Sequence, residues 1–223
     1  PFEFVGKYSL RHKPDDIVND MRQVLDIPQG FAEKLSTWDL HLRQLVQKVE
    51  LAGIFVLQSG VVGNNTRRKL SIQEFRGFAL ADKYAPLVFI NAQDSTAARI
   101  FTLIHELAHI WTGTSGISNP DFISSETENQ RAEILCNQVA AEFLVPNEIF
   151  IKRWNTHQDA LDNAQQLATR FRVSNQVILR RAFDAGLLNF NKYQDTIQAA
   201  IKASKPRAKG GGGDFYNTLF SRN

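Results

Sequence analysis

The stretch Thr102–Gly113 reads TLIHELAHIWTG, an apolar run interrupted by His105, Glu106 and His109. On an α-helix, residues four apart project from one face a turn apart. His105 and His109 can therefore both bring an imidazole nitrogen to about 2.0–2.1 Å from one Zn²⁺. Glu106 falls at the edge of that face, where a carboxylate reaches a water at the metal without binding the metal itself, the place of a general base. The competing reading is the polar edge of a core helix. With 5 His in 223 residues, chance yields the pattern in on the order of one chain in a hundred or fewer, and three such polar groups among apolar neighbours have no other evident use.

The stretch must be helical for this to hold. Asp94 and Ser95 are capping candidates, Ile100, Leu103, Ile104, Leu107 and Trp111 recur at spacings of three and four, and Gly113 is a suitable stop. A catalytic zinc needs a third protein ligand and an open fourth position. The single cysteine, Cys136, excludes a cysteine-rich knuckle and a disulfide framework and fits a reducing compartment, so carboxylates must supply the ligand. The candidates are Asp121, Glu126, Glu128, Glu133 and Glu142. Glu133 is the best of them. It lies inside an expected helix from about Thr127 to Leu144, ended by Pro146, among Ala132, Ile134, Leu135 and Ala140, where a charge is costly unless it meets a cation.

Working outward, DDIVNDMRQVL at 15–25 spaces Ile17, Met21 and Leu25 as an amphipathic helix, and a second helix is expected from about Phe31 or Ser36 to Val49. AGIFVLQSG reads as a strand and NNTRRKLS as a polar loop. Two strands, at about 75–80 and 87–91, are expected to form a hairpin, with LVFIN offering an edge to an extended substrate. After Asp159, two shorter helices break at Arg172–Ser174, a layout compatible with a helix-turn-helix. KASKPRAKGGGGD is a basic glycine-rich linker before the tail. With no initiator Met and an abrupt end, the chain reads as a trimmed piece of a longer one.

The composition, 43% hydrophobic and 22% charged, is that of an ordinary globular protein. No secretory leader and no run approaching 18 apolar residues is seen, so the expectation is a cytoplasmic protein without a membrane partner. The net charge of +3 is uneven. Residues 151–223 hold 12 Lys and Arg against 5 Asp, or +7, and the first 150 residues hold 14 against 18, or −4. A basic C-terminal part can mark a nucleic-acid or acidic-protein contact, although a solvated helical surface is the commoner cause.

FTLIHELAHIWTG, Glu133 placed 24 residues after His109 in AEILCNQVAAEFLVP, and LATRFRVSNQVILRRAFDAGLL together resemble the ImmA/IrrE family of bacterial and phage zinc metallopeptidases. LSIQEFRGFALADKYAPLVFINAQDS belongs to the same resemblance, which spans roughly residues 70–190. It implies an α+β fold: a zincin-like core of helices on a small, mostly antiparallel sheet, followed by a helix-turn-helix-like segment. The expected divisions are 1–50 (N-terminal helices), 51–150 (metallopeptidase core), 151–204 (helical segment) and 205–223 (linker and tail). It also implies one Zn²⁺ per chain on His105, His109 and Glu133, Glu106 as the base, and a helix-turn-helix repressor or antitoxin-type partner as substrate, with control of stress or mobile-element genes. The chain departs from the family in carrying Cys136 where Ala is common, a small change.

A second donor for the developing oxyanion is desirable, and Asn137, Tyr84 and His157 are the candidates. Two other functions remain in view. One is a DNA-binding regulator, with Arg170, Arg172, Ser174, Arg180 and Arg181 as DNA or partner contacts. The other is a non-catalytic partner protein that keeps the zinc site.

Overall fold

A computed structural model of the chain describes residues 1–63, 65–114, 116–118 and 127–204. Helix α1 (Pro14–Leu25) starts on a proline whose missing N–H would have no helical partner, carries Asp15 and Asp16 against the positive end of its dipole, and buries Ile17, Val18, Met21 and Leu25. The expected second helix is divided. A 3₁₀ turn covers Phe31–Lys34, Leu35 is extended, and α2 (Trp38–Leu51) begins after Thr37, whose hydroxyl accepts from the Leu40 N–H at 3.1 Å.

Strands β1 (Phe55–Ser59), β4 (Gly77–Leu80), β5 (Leu87–Asn91) and β6 (Gly116–Ser118) form one sheet in the order β1-β5-β4-β6. The β1–β5 pair is parallel and the other two are antiparallel, so the sheet is mostly antiparallel, as expected. LVFIN is not an edge. As β5 it pairs with β1 on one side and β4 on the other, and a segment extending this sheet would have to add at β1 or β6. The expected loop NNTRRKLS is largely a strand, β3 (Asn65–Lys69), paired antiparallel with β2 (Val61–Val62) in a separate ribbon. All five β3 residues are exposed, so it has no apolar alternation for a sequence reading to detect.

Helix α3 (Thr96–Thr112) runs beneath the sheet, capped by the Ser95 hydroxyl on the Ala98 N–H and ended by Gly113 at φ 68°. Every residue from Ile100 to Trp111 is buried, which makes it the central element. Helix α4 (Thr127–Leu144) packs against α3, followed by α5 (Asn147–Arg153), α6 (Ala160–Phe171), α7 (Asn175–Asp184) and α8 (Phe190–Ser204). The fold is α+β. One cluster of buried side chains runs from Phe4 to Ala200 and draws on the N-terminal helices, the sheet, α3 and the C-terminal helices alike. No single helix among the described residues is long and apolar enough to cross a membrane.

Candidate metal centre

His105, Glu106 and His109 come from the buried middle of α3, and Glu133 reaches them from α4. His105 Nε2 and His109 Nε2 are 3.1 Å apart, and the Glu133 oxygens stand 3.3 Å from the first and 3.2 Å from the second. Donors at about 2.05 Å from a tetrahedral ion lie roughly 3.3 Å from one another; the two imidazole nitrogens meet that spacing, and each faces its own oxygen of the Glu133 carboxylate at a similar distance. His105, His109 and Glu133 can thus hold a metal ion. The imidazoles are 1% and 3% exposed and the Glu133 side chain 29%, so the centre opens to solvent on the α4 side, where a fourth position would lie.

The charges are mutually supporting. Burial acts to lower the pKa of His105, but Glu133, Glu106 and Asn137 outweigh it and the imidazole is raised. In His109 burial again acts downward, while Cys136 and Glu133 act upward and prevail. Burial would raise Glu133, yet the two imidazoles hold its carboxyl far below the usual range. A divalent cation would take the place of the protons that Glu133 draws to the two imidazoles, since a ligating imidazole must be neutral.

A hydrogen-bond chain sets the tautomer of His109. Thr112 Oγ1 lies 2.9 Å from the Ala108 carbonyl and 3.2 Å from the His109 carbonyl, both pure acceptors, so the Thr112 proton is committed there. Thr112 Oγ1 must then accept from Thr114 Oγ1 at 2.8 Å, and Thr114 in turn accepts from His109 Nδ1 at 2.8 Å. In the neutral imidazole that ligation requires, the proton therefore sits on Nδ1, and the Nε2 lone pair is left for a metal.

The frame around Glu106 is equally specific. Glu106 is fully buried, facing Gly77 of β4, where a Cβ would stand 3.0 Å from its Oε1. The preceding residue, Arg76, is buried and pairs with Asp94 at 2.7 Å, and the second Asp94 oxygen accepts from the Ser95 N–H at 2.8 Å. The start of β4 is thereby tied to the start of α3. Sequence reasoning missed Gly77, Arg76, Asp94 (beyond its capping role) and Thr114, because their partners lie in other elements and no local pattern announces them.

Among the other expected site residues, the structure brings Asn137 to the cluster, buried beside His105. Tyr84 is 75% exposed in the turn at the far end of β4 from Gly77, and His157 is exposed in the loop between α5 and α6. Glu142 is engaged elsewhere, pairing with Arg181 and accepting from the Asn147 N–H at 3.1 Å. Asp121, Glu126 and the Glu128 side chain lie outside the described residues.

The four arginines expected as DNA or partner contacts are each engaged within the chain. Arg170 pairs with Glu33 at 2.8 Å, and Arg172 donates to the carbonyls of Leu35 at 2.7 Å and Ser36 at 3.0 Å while lying over the Trp38 ring. Arg180 pairs with Asp184 at 2.9 Å, and Arg181 donates to the Val145 carbonyl. Ser174 caps α7 through the Val177 N–H, and Val177, Ile178, Leu179 and Ala182 of that helix are buried.

With these donors in place, comparison with protein families matches residues 50–183 to the IrrE N-terminal-like domain, Peptidase_M78. The chain belongs to this family. The match covers more than half of the chain, begins as β1 is about to form and ends in α7, so it takes in the whole four-stranded sheet and both helices of the metal centre. The Peptidase_M78 domain of this chain is of metallopeptidase type, and its His105–His109–Glu133 cluster is the place for the ion. Comparison with curated proteins gives no match.

Proposed function

We propose that the chain is a zinc-dependent endopeptidase that hydrolyses a peptide bond in a specific regulatory protein, a helix-turn-helix repressor, and so controls stress or mobile-element genes. The observation that carries the enzymatic part is the convergence of His105, His109 and Glu133 within 3.1–3.3 Å, with the buried Glu106 carboxylate next to the first of them in sequence. Family membership supports the peptidase class. The substrate class rests on the resemblance of the motif set, and the single buried thiol, Cys136, fits the reducing compartment in which such a substrate resides.

Two neutral imidazoles and one carboxylate are the borderline-soft donor set that suits zinc. Zinc, when bound, supplies Lewis acidity toward the scissile carbonyl and toward water. The protein's own groups do the rest. His109 presents an Nε2 lone pair because Thr114 holds its Nδ1 proton. Glu106, shielded from bulk water, accepts the proton of the attacking water and delivers it to the departing amine. Asn137, which interacts with His105, is the oxyanion-donor candidate nearest the cluster in this reading.

The test is incubation of the zinc-loaded protein with the repressor encoded next to it, comparing wild type with Glu106→Gln and following the product by mass spectrometry. Cleavage by wild type alone is expected. Cleavage by both, or by neither at full zinc occupancy, would overturn the reading.

A further inference from the structure

An open cleft of about 460 Å³ lies where the 3₁₀ turn, the end of α5 and the end of α6 meet. Arg153, Arg170 and Arg172 line it together with Glu33, Gln166 and Thr169, and none of its residues belongs to α3 or α4, the helices of the metal donors. Three guanidiniums thus stand against one carboxylate, an excess of two positive charges. Glu33 is shared: one of its oxygens meets Arg153 at 2.5 Å and the other meets Arg170 at 2.8 Å. Arg172 meets only neutral groups among the described residues, the Leu35 and Ser36 carbonyls and the Trp38 ring. Lys34 and Lys152, next in sequence to Glu33 and Arg153, are exposed and in no ion pair among the described residues, so they add to the excess.

The arginines are engaged but not used up. Each guanidinium has five N–H donors on three nitrogens, and here a single nitrogen of each makes the hydrogen bonds: Nη1 of Arg153, Nη2 of Arg170 and Nη2 of Arg172. The Arg153 side chain is 30% exposed and that of Arg170 48%, so their remaining donors can be reached from solvent. Arg172 also stands at φ 57°, at the C-cap of α6, where Gly or Asn would adopt the left-handed conformation at less cost. The strain is offset only by what its side chain does.

We propose that this cleft binds a phosphate group, free or at the end of a small monoester. Such a group carries roughly 1.5–2 negative charges at neutral pH, which matches the excess, whereas one carboxylate would leave half of it unmet. Its oxygens accept from several planar guanidinium forks at once, the task for which arginine surpasses lysine. The volume falls in the range of small-molecule sites, about 300–1,000 Å³, and leaves room for the organic part of a monoester.

The test is isothermal titration of the full zinc-loaded chain with inorganic phosphate and, in parallel, phenyl phosphate, comparing wild type with Arg170→Gln and Arg172→Gln. Saturable binding of either probe with a Kd of about 1 mM or tighter is expected, weakened at least ten-fold in both variants at unchanged zinc stoichiometry. The tighter probe tells a free ion from an ester. Arg170 is half exposed and caps no helix, so its variant decides the matter should Arg172→Gln misfold. Three results would each overturn the proposal: no saturation by about 10 mM of either probe, binding of equal strength in wild type and Arg170→Gln, which would put the phosphate on the zinc, or tighter binding of a short DNA duplex lost in the same variants, which would assign these arginines to a nucleic-acid backbone. Neither titration reads cleavage, so the outcome is separate from that of the peptidase reading.

Discussion

Gly77 of β4 lies directly against Glu106 of α3: a Cβ built on this glycine would stand 3.0 Å from Glu106 Oε1, 2.8 Å from the Phe89 carbonyl oxygen and 2.6 Å from Thr102 Cγ2. Two of these neighbours belong to the sheet backbone and a β-branched side chain, neither of which can swing aside. Gly77→Ala must therefore push α3 from the sheet. Overpacking of this kind costs about 1–3 kcal/mol, and the displaced carboxylate should lose more activity than zinc affinity. Denaturant unfolding, zinc titration and a cleavage assay on one preparation check this; unchanged turnover would show that the contact does not position Glu106.

Glu133 and Glu106 divide the work, and their amides should separate it. Glu133→Gln removes the anionic donor that stands 3.2–3.3 Å from both imidazoles, so zinc affinity should fall by about a hundred-fold or more. Glu106→Gln should retain zinc and lose hydrolysis. Competition titration with a chromogenic chelator measures both, and equal loss of zinc in the two variants would contradict the assignment.

Thr114 holds His109 Nδ1 at 2.8 Å, and Thr114→Val leaves that N–H without its acceptor and frees the wrong tautomer. Partners of this kind are worth roughly 10–100-fold in metal affinity. Thr114→Ser keeps the hydroxyl and should keep the affinity. Imidazole nitrogen shifts in the two variants report the tautomer, and identical spectra would dismiss the relay.

His41 of α2 is 2% exposed, and burial first, then the charge of Arg172, lowers its pKa from 6.5 to about 4. Above pH 6.5 it is neutral whether folded or unfolded and contributes nothing to the pH profile. As pH falls below that value the unfolded chain binds the proton and the folded one does not, so stability drops, levelling off below pH 4 after a loss of about 3 kcal/mol. His41→Leu should flatten the unfolding free energy across pH 4–6.5 relative to wild type. Parallel profiles would mean that the imidazole is solvated.

The metal clamp was legible in TLIHELAHIWTG because its geometry is local: an i, i+4 pair on a capped helix needs no knowledge of the rest of the chain. Glu133 was legible too, through the cost of a charge inside an apolar helix. Gly77 and Thr114 were silent, since what makes them matter is the approach of β4 to α3 and of one hydroxyl to one ring nitrogen. LVFIN read as an edge because a strand's own residues do not state its neighbours, and the parallel pairing with Phe55–Ser59 joins segments some thirty residues apart. The basic helices after Asp159 left a solvated surface and a nucleic-acid contact both open because sequence counts charges without their partners, and folding sets Arg170 on Glu33 and Arg181 on Glu142. Local periodicity and ligand spacing thus determined the candidate metal ligands by themselves. Only the tertiary structure decided what lies against Glu106, which strands end the sheet, and which charges are already satisfied, because each of those depends on contacts between elements distant in sequence.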